Sequence, residues 1–228
     1  LADTTREVRR VCLIALAERG DAAACDQALE LLKGDKADLE DALAALRGPW
    51  RTERKLAVRG FTILRELWDG TAGTPRVERR SIARAIALVP LRDAAELLYA
   101  SIAGEREPIA QLTPHEWYTQ QIGNIGVEGA EFLRERWRAE PDPVRRLDLA
   151  AGSIYEHDAS AREFLLGALD DPRVTACEGL WIAEQLAQRG PTSEIAPKLK
   201  RYTLGVSDAR VRPALNALLW RWYGGLDS

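Results

Sequence analysis

Apolar residues recur at intervals of three and four along almost the whole chain, as in Val8, Val11, Cys12, Ala15 and Leu16 or Ile82, Ala85, Ile86 and Val89. No stretch sustains the alternation of a strand, so the pattern predicts helices throughout. Thirteen are expected, over about 4–19, 22–33, 36–47, 51–68, 75–89, 91–103, 114–125, 127–139, 142–156, 159–169, 172–189, 192–204 and 208–223. Breakers separate them: Gly20-Asp21, Gly48-Pro49, Val89-Pro90, Gly126, His157-Asp158, Gly190-Pro191 and Gly224-Gly225 each close a helix. From Val89-Pro90 onward the breaks are 31 to 36 residues apart, the period of helical-pair repeats. The earlier intervals of 28 and 42 residues predict an irregular second unit, a short helix followed by an extended one.

The residues at these turns carry a resemblance. Val8-Arg9-Arg10 leads through Leu16-Ala17-Glu18-Arg19-Gly20-Asp21 to Ala28-Leu29-Glu30-Leu31-Leu32. Ile122-Gly123-Asn124-Ile125-Gly126, Asp142-Pro143-Val144-Arg145-Arg146, Asp171-Pro172-Arg173-Val174 and Asp208-Ala209-Arg210-Val211-Arg212 follow the same plan. The chain resembles the HEAT-repeat family, particularly its bacterial lyase-like subtype, over most of its length except about 35–75. The resemblance implies an all-α, right-handed solenoid of about six to seven helical-pair repeats, a single domain over 1–228, with the first helix of each pair lining a concave surface. It also implies that Asp142 with Arg145, and Asp208 with Arg212, form a structural ladder between repeats. Such folds scaffold unrelated activities, so the resemblance bears on architecture more than on function.

Composition narrows the function. With 32 basic and 35 acidic residues the net charge is −3, which lacks the global basic field that drives nucleic-acid binding. Arginine outnumbers lysine 27 to 5, as either a GC-rich genome or selection for bidentate anion contacts would give, the genome being the favoured reading. Cys12, Cys25 and Cys177 have no metal-type spacing and read as small buried hydrophobes in a reducing compartment. No apolar run approaches the roughly 20 residues that span a bilayer, and the N-terminus lacks a signal pattern. The expected location is cytoplasmic. The chain has no Met and opens on a helix, as a piece of a longer protein would.

Candidate chemistry is sparse. His115-Glu116 is one pair of the kind that HEAT-like metal hydroxylases repeat around two irons, and Glu156-His157 is its reverse. Two histidines cannot supply that site, so no metal and no cofactor are expected. Thr113, Pro114 and Glu116 read instead as a capping box. No nucleophile has a base in a local motif, and Gly123, Gly126 and Gly129 follow a helix rather than a strand, so they are not a phosphate loop.

Recognition is better provided for. Arg76, Arg80 and Arg84 stand at i, i+4 and i+8 as a basic ridge, either a solvated face or an anion-recognising groove. Of seven tryptophans, Trp220 differs: Val211, Leu215, Leu218 and Trp222 form the apolar face of its helix, whereas Arg212, Asn216, Trp220 and Tyr223 form a second stripe. The connection from Gly104 to Thr113 is the longest and is either a binding loop or a tolerated insertion. The expected function is a non-enzymatic interaction or scaffold module that grips a protein partner through Arg80, Arg84, Asp148, Trp181, Arg212, Asn216 and Trp220. The alternative is nucleic-acid binding resembling that of HEAT-type DNA glycosylases, which the acidic balance disfavours. An enzyme acting on a bound chromophore or side chain would need a pocket with a ligand motif, and none is visible in the sequence.

Overall fold

The computed structural model describes residues 5–70, 76–104, 112–154, 159–189 and 195–223. The chain is all-helical there, with no β-strand among the described residues. The helices are α1 (Arg6–Glu18), α2 (Ala22–Leu31), α3 (Lys36–Thr52), α4 (Arg54–Gly70), α5 (Arg76–Ile86), α6 (Arg92–Ser101), α7 (Pro114–Gly123), α8 (Val127–Ala139), α9 (Pro143–Ser153), α10 (Ala159–Ala168), α11 (Ala176–Arg189), α12 (Ile195–Gly205) and α13 (Val211–Tyr223). No described helix is long and apolar enough to cross a membrane. Packing divides the chain into two compact units, Leu1–Glu105 with Val127–Gly129, and Arg106–Gly126 with Ala130–Ser228.

In the first unit α3 packs against both α1 and α2. Gly20, at φ 79°, turns the chain out of α1, and the Asp21 carboxylate caps α2 by accepting from the Ala24 N–H at 2.8 Å. Arg6, near the start of α1, binds Asp38 and Asp41 of α3 at 3.0 Å each, and Glu18, at its end, approaches Gly48, so α1 and α3 run parallel.

Two expectations fail in this unit. Gly48-Pro49 does not end its helix, because α3 continues through Pro49 to Thr52. Ala42, Ala45, Leu46, Pro49 and Trp50 form one buried stripe, and Trp50 lies against Gly60 of α4, where a Cβ would come within 2.5 Å of the indole. Burial of that indole outweighs the amide hydrogen bond that proline removes. The apolar face read on the first helix is also not the buried one: Leu13 and Ala17 face inward while Val8, Val11, Cys12 and Leu16 are exposed.

In the second unit α7, α9, α11 and α13 pack one against the next, with α10 against α9 and α11, and α12 against α13 and α11. Gly152 lets α9 approach α7 closely, since a Cβ there would lie 2.5 Å from the Thr119 methyl and 2.9 Å from the Thr119 carbonyl oxygen. Trp137 of α8 stacks on Phe164 of α10, centroids 5.0 Å apart.

The turns before α11 and α13 correct two helix starts. Asp171 accepts from the Arg173 backbone and guanidinium, Asp208 does the same for Arg210, and helix begins only at Ala176 and Val211. Asp208 therefore pairs with Arg210 rather than with Arg212. Asp142 caps α9 by accepting from the Val144 and Arg145 N–H groups. The capping box is present, with the Glu116 N–H donating to Thr113 Oγ1 at 3.1 Å and the Thr113 N–H to Glu116 at 2.7 Å. Of the cysteines only Cys25 is buried; Cys12 and Cys177 are exposed.

Candidate functional site

The last helix presents the most open candidate surface. Val211, Leu215 and Leu219 bury one side of α13 at i, i+4 and i+8, with Leu218 half-buried beside them. The inward stripe keeps Val211 and Leu215 as read in the sequence and continues to Leu219 rather than Leu218. Arg212, Asn216 and Trp220 follow each buried position by one residue, so they line up along a single exposed edge. Trp220 is 73% exposed, an unusual state for a side chain that normally buries most of its area.

Trp181 belongs to α11, the helix against which α13 packs. It is half-buried, and its Nε1 is shielded from solvent without a hydrogen-bond partner.

Asp148 does not face solvent. It is 9% exposed, and its Oδ2 lies 2.8 Å from His115 Nδ1 of α7, the geometry of an imidazole N–H donating to a carboxylate. Burial pushes the Asp148 carboxyl above the usual carboxylate range, and the bond from His115 offsets part of that rise. His115 Nε2 and Thr119 Oγ1, one helical turn apart on α7, are also sealed from solvent and unpartnered. A carboxylate that orients an imidazole is a general-base arrangement, but a base must reach the proton it takes. With Nε2 closed off, the pair serves as a buried clamp between α7 and α9. Sequence reading treated His115 and Asp148 separately. The signal was the matching i, i+4 pairs His115/Thr119 and Asp148/Gly152, which the parallel packing of α7 and α9 sets face to face.

Arg80 and Arg84 are on α5, in the first unit. Arg84 is exposed, whereas Arg80 is half-buried with its Nε shielded and unpartnered. The adjacent Arg79 stacks over the Trp68 ring at 4.3 Å. Arg146 is engaged too, donating through Nε and Nη2 to the Glu140 carbonyl. The structure thus brings Arg212, Asn216 and Trp220 together, leaves Trp181 on the neighbouring helix and turns Asp148 inward. The side chains of Arg76, Trp222 and Tyr223, the Glu156-His157 pair and residues 105–111 of the long connection lie outside the described residues.

No cluster of three metal-ligating side chains occurs among the described residues. Comparison with protein-family models, curated proteins and solved structures finds no match to this chain.

Proposed function

We propose that the chain is a non-enzymatic interaction module of the HEAT-repeat kind, a right-handed solenoid of six to seven helical pairs that holds a protein partner on its concave helices. The observation that carries this reading is the exposed edge of Arg212, Asn216 and Trp220 on a helix anchored by its buried opposite side. Tryptophan and arginine dominate binding hot spots, because the indole buries a large area with few rotatable bonds and the guanidinium grips carboxylates with two parallel hydrogen bonds. A helix fixed from behind displays both with little ordering left to do at binding. The row α7, α9, α11 and α13 and the aspartate-led turns before α9, α11 and α13 support the repeat reading. The sealed His115–Asp148 pair gives no support to a catalytic one.

The test is capture from a lysate of the source organism on the immobilised chain, beside Trp220→Ala and Arg212→Glu variants, with stepwise salt elution and identification of proteins and nucleic acids. Trp220→Ala is expected to lose a discrete protein that the unmodified chain holds, a loss of about 2 kcal/mol if the residue is a hot spot. Recovery of nucleic acid alone, released at moderate salt, or identical capture by all three proteins, would refute the reading.

A further inference from the structure

The charge pattern of the last two helices stands apart from the rest of the chain. Every other described α-helix contains at least one aspartate or glutamate, but α12 and α13, which pack together, contain none. They carry Lys198, Lys200, Arg201, Arg212 and Arg221 instead, in a chain whose net charge is −3. Neighbouring carboxylates offset only part of this. Asp170 holds Lys198 at 2.8 Å, and in the turn between the two helices Asp208 is already committed to Arg210. On the adjoining α11, Glu178 accepts from the Thr175 hydroxyl and backbone N–H, and Glu184 makes no ion pair among the described residues. Arg201 and Arg212 are exposed and have no carboxylate partner among the described residues.

The spacing along α13 limits what can answer that charge. Arg212 and Trp220 stand on one edge two helical turns apart, about 12 Å along the axis. An extended segment covers about 12 Å in three to four residues. Asn216 lies between them, and its amide can both donate to and accept from a peptide group. The edge offers one large apolar side chain, Trp220, so the apolar stripe of an amphipathic helix would have little to bury against. A phosphate backbone needs a run of free cations, and here Lys198 is neutralised. We infer that the partner segment held on α13 is an extended acidic peptide, with an Asp or Glu carboxylate on the Arg212 guanidinium and, three to four residues away, an apolar side chain on the Trp220 indole. The inference rests on the reading of this edge as an interaction surface and adds the chemistry of what it holds. The excess charge of α12, Arg201 included, favours further carboxylates beside the first.

The probes are fluorescein-labelled 12-residue Gly/Ser peptides carrying a pair of glutamates four residues from a single phenylalanine, made in both orders and titrated by anisotropy with the full chain. Controls replace the glutamates by glutamine or by lysine, or the phenylalanine by serine. One glutamate peptide is expected to bind most tightly, and the glutamine version about tenfold more weakly, as for loss of a charge-assisted fork. Trp220→Ala should weaken the glutamate peptide to the level of its serine control. Arg212→Glu should weaken it by a similar factor and strengthen the lysine peptide, a reversal that a merely structural role for Arg212 would not give. Arg65→Gln, at an exposed position of the first unit, should change nothing, and all variants should keep the far-UV CD spectrum and Tm. Equal binding of the glutamate and glutamine peptides, both lost on Trp220→Ala, would overturn the acidic partner and leave the interaction edge standing. So would a lysate protein that Trp220→Ala loses and the glutamate peptide does not displace. Peptide binding and lysate capture both indifferent to Trp220 and Arg212 would overturn the edge as well. A 20-nucleotide single strand that displaces the glutamate peptide at lower concentration than the unlabelled peptide itself would assign the surface to nucleic acid and overturn the inference.

Discussion

Asp35 and Asp142 each precede a helix and accept hydrogen bonds from backbone N–H groups that the helix leaves unpaired, and Asp208 accepts from the Arg210 N–H in the turn that leads into α13. Those N–H groups favour the ionised carboxylate and hold all three aspartates below the usual range, while Arg173 takes Asp171 to about 2. A carboxyl lowered on folding adds stability above its unfolded value near 4, and loses it as pH falls through the folded value. The melting temperature of the chain should therefore drop between about pH 4 and pH 2. Asp142→Ala is expected to lower the neutral Tm by a few degrees and flatten that acid limb, whereas Asp142→Asn, which still caps, should keep most of the neutral Tm. Thermal melts across this range check both, and an unchanged Tm for Asp142→Ala would remove the cap from the account. These caps were legible because capping is local. The Asp148–His115 bond spans 33 residues and was not, so Asp148 read as a ligand-gripping residue when its carboxylate clamps two helices.

At the scale of elements, what the periodicity made visible and what it hid have one cause. A repeat of three and four reports that a helix has an apolar side, which located thirteen helices, but not which neighbour covers that side. Hence α1 was foreseen and the outward turn of Val8, Val11 and Leu16 was not. The stop at Pro49 was expected on local grounds, and burial of Trp50 overrode it. Where a close approach between helices depends on a missing side chain, the dependence can be tested. Gly152→Ala would place a methyl 2.5 Å from the Thr119 methyl and 2.9 Å from its carbonyl oxygen, which is backbone and cannot swing aside. The helices α7 and α9 must separate, stretching the His115–Asp148 bond, at a cost of about 1–3 kcal/mol typical of overpacking. Urea unfolding should show the midpoint fall with little change in slope. Gly167→Ala, at an exposed helical position with no atom within 4 Å of the added methyl, is the control and should be neutral or slightly stabilising.

For the whole molecule the deciding quantity is charge. A protein that binds nucleic acid through phosphates gains by releasing counterions, and needs several unpaired cations on one face to do so. This chain carries 32 basic against 35 acidic residues, and many of its arginines are already engaged. Arg6 and Arg10 bind Asp41, Arg59 binds Asp26, Arg92 binds Glu96, and Arg173 and Arg210 bind the aspartates of their own turns. Arg146 is tied to a backbone carbonyl and Arg79 to an indole. Exposed ion pairs of this kind contribute little to stability, but they neutralise the cations that a phosphate backbone would require. The full chain is therefore expected to show no binding to a labelled 20-base-pair duplex or a 20-nucleotide single strand in anisotropy at 50 mM salt, where a phosphate-binding surface would be strongest. Binding there that weakens steeply with salt, and that Arg84→Glu or Arg212→Glu abolishes, would mean that one face gathers enough free cations to overcome the average, and would move the chain into the nucleic-acid class.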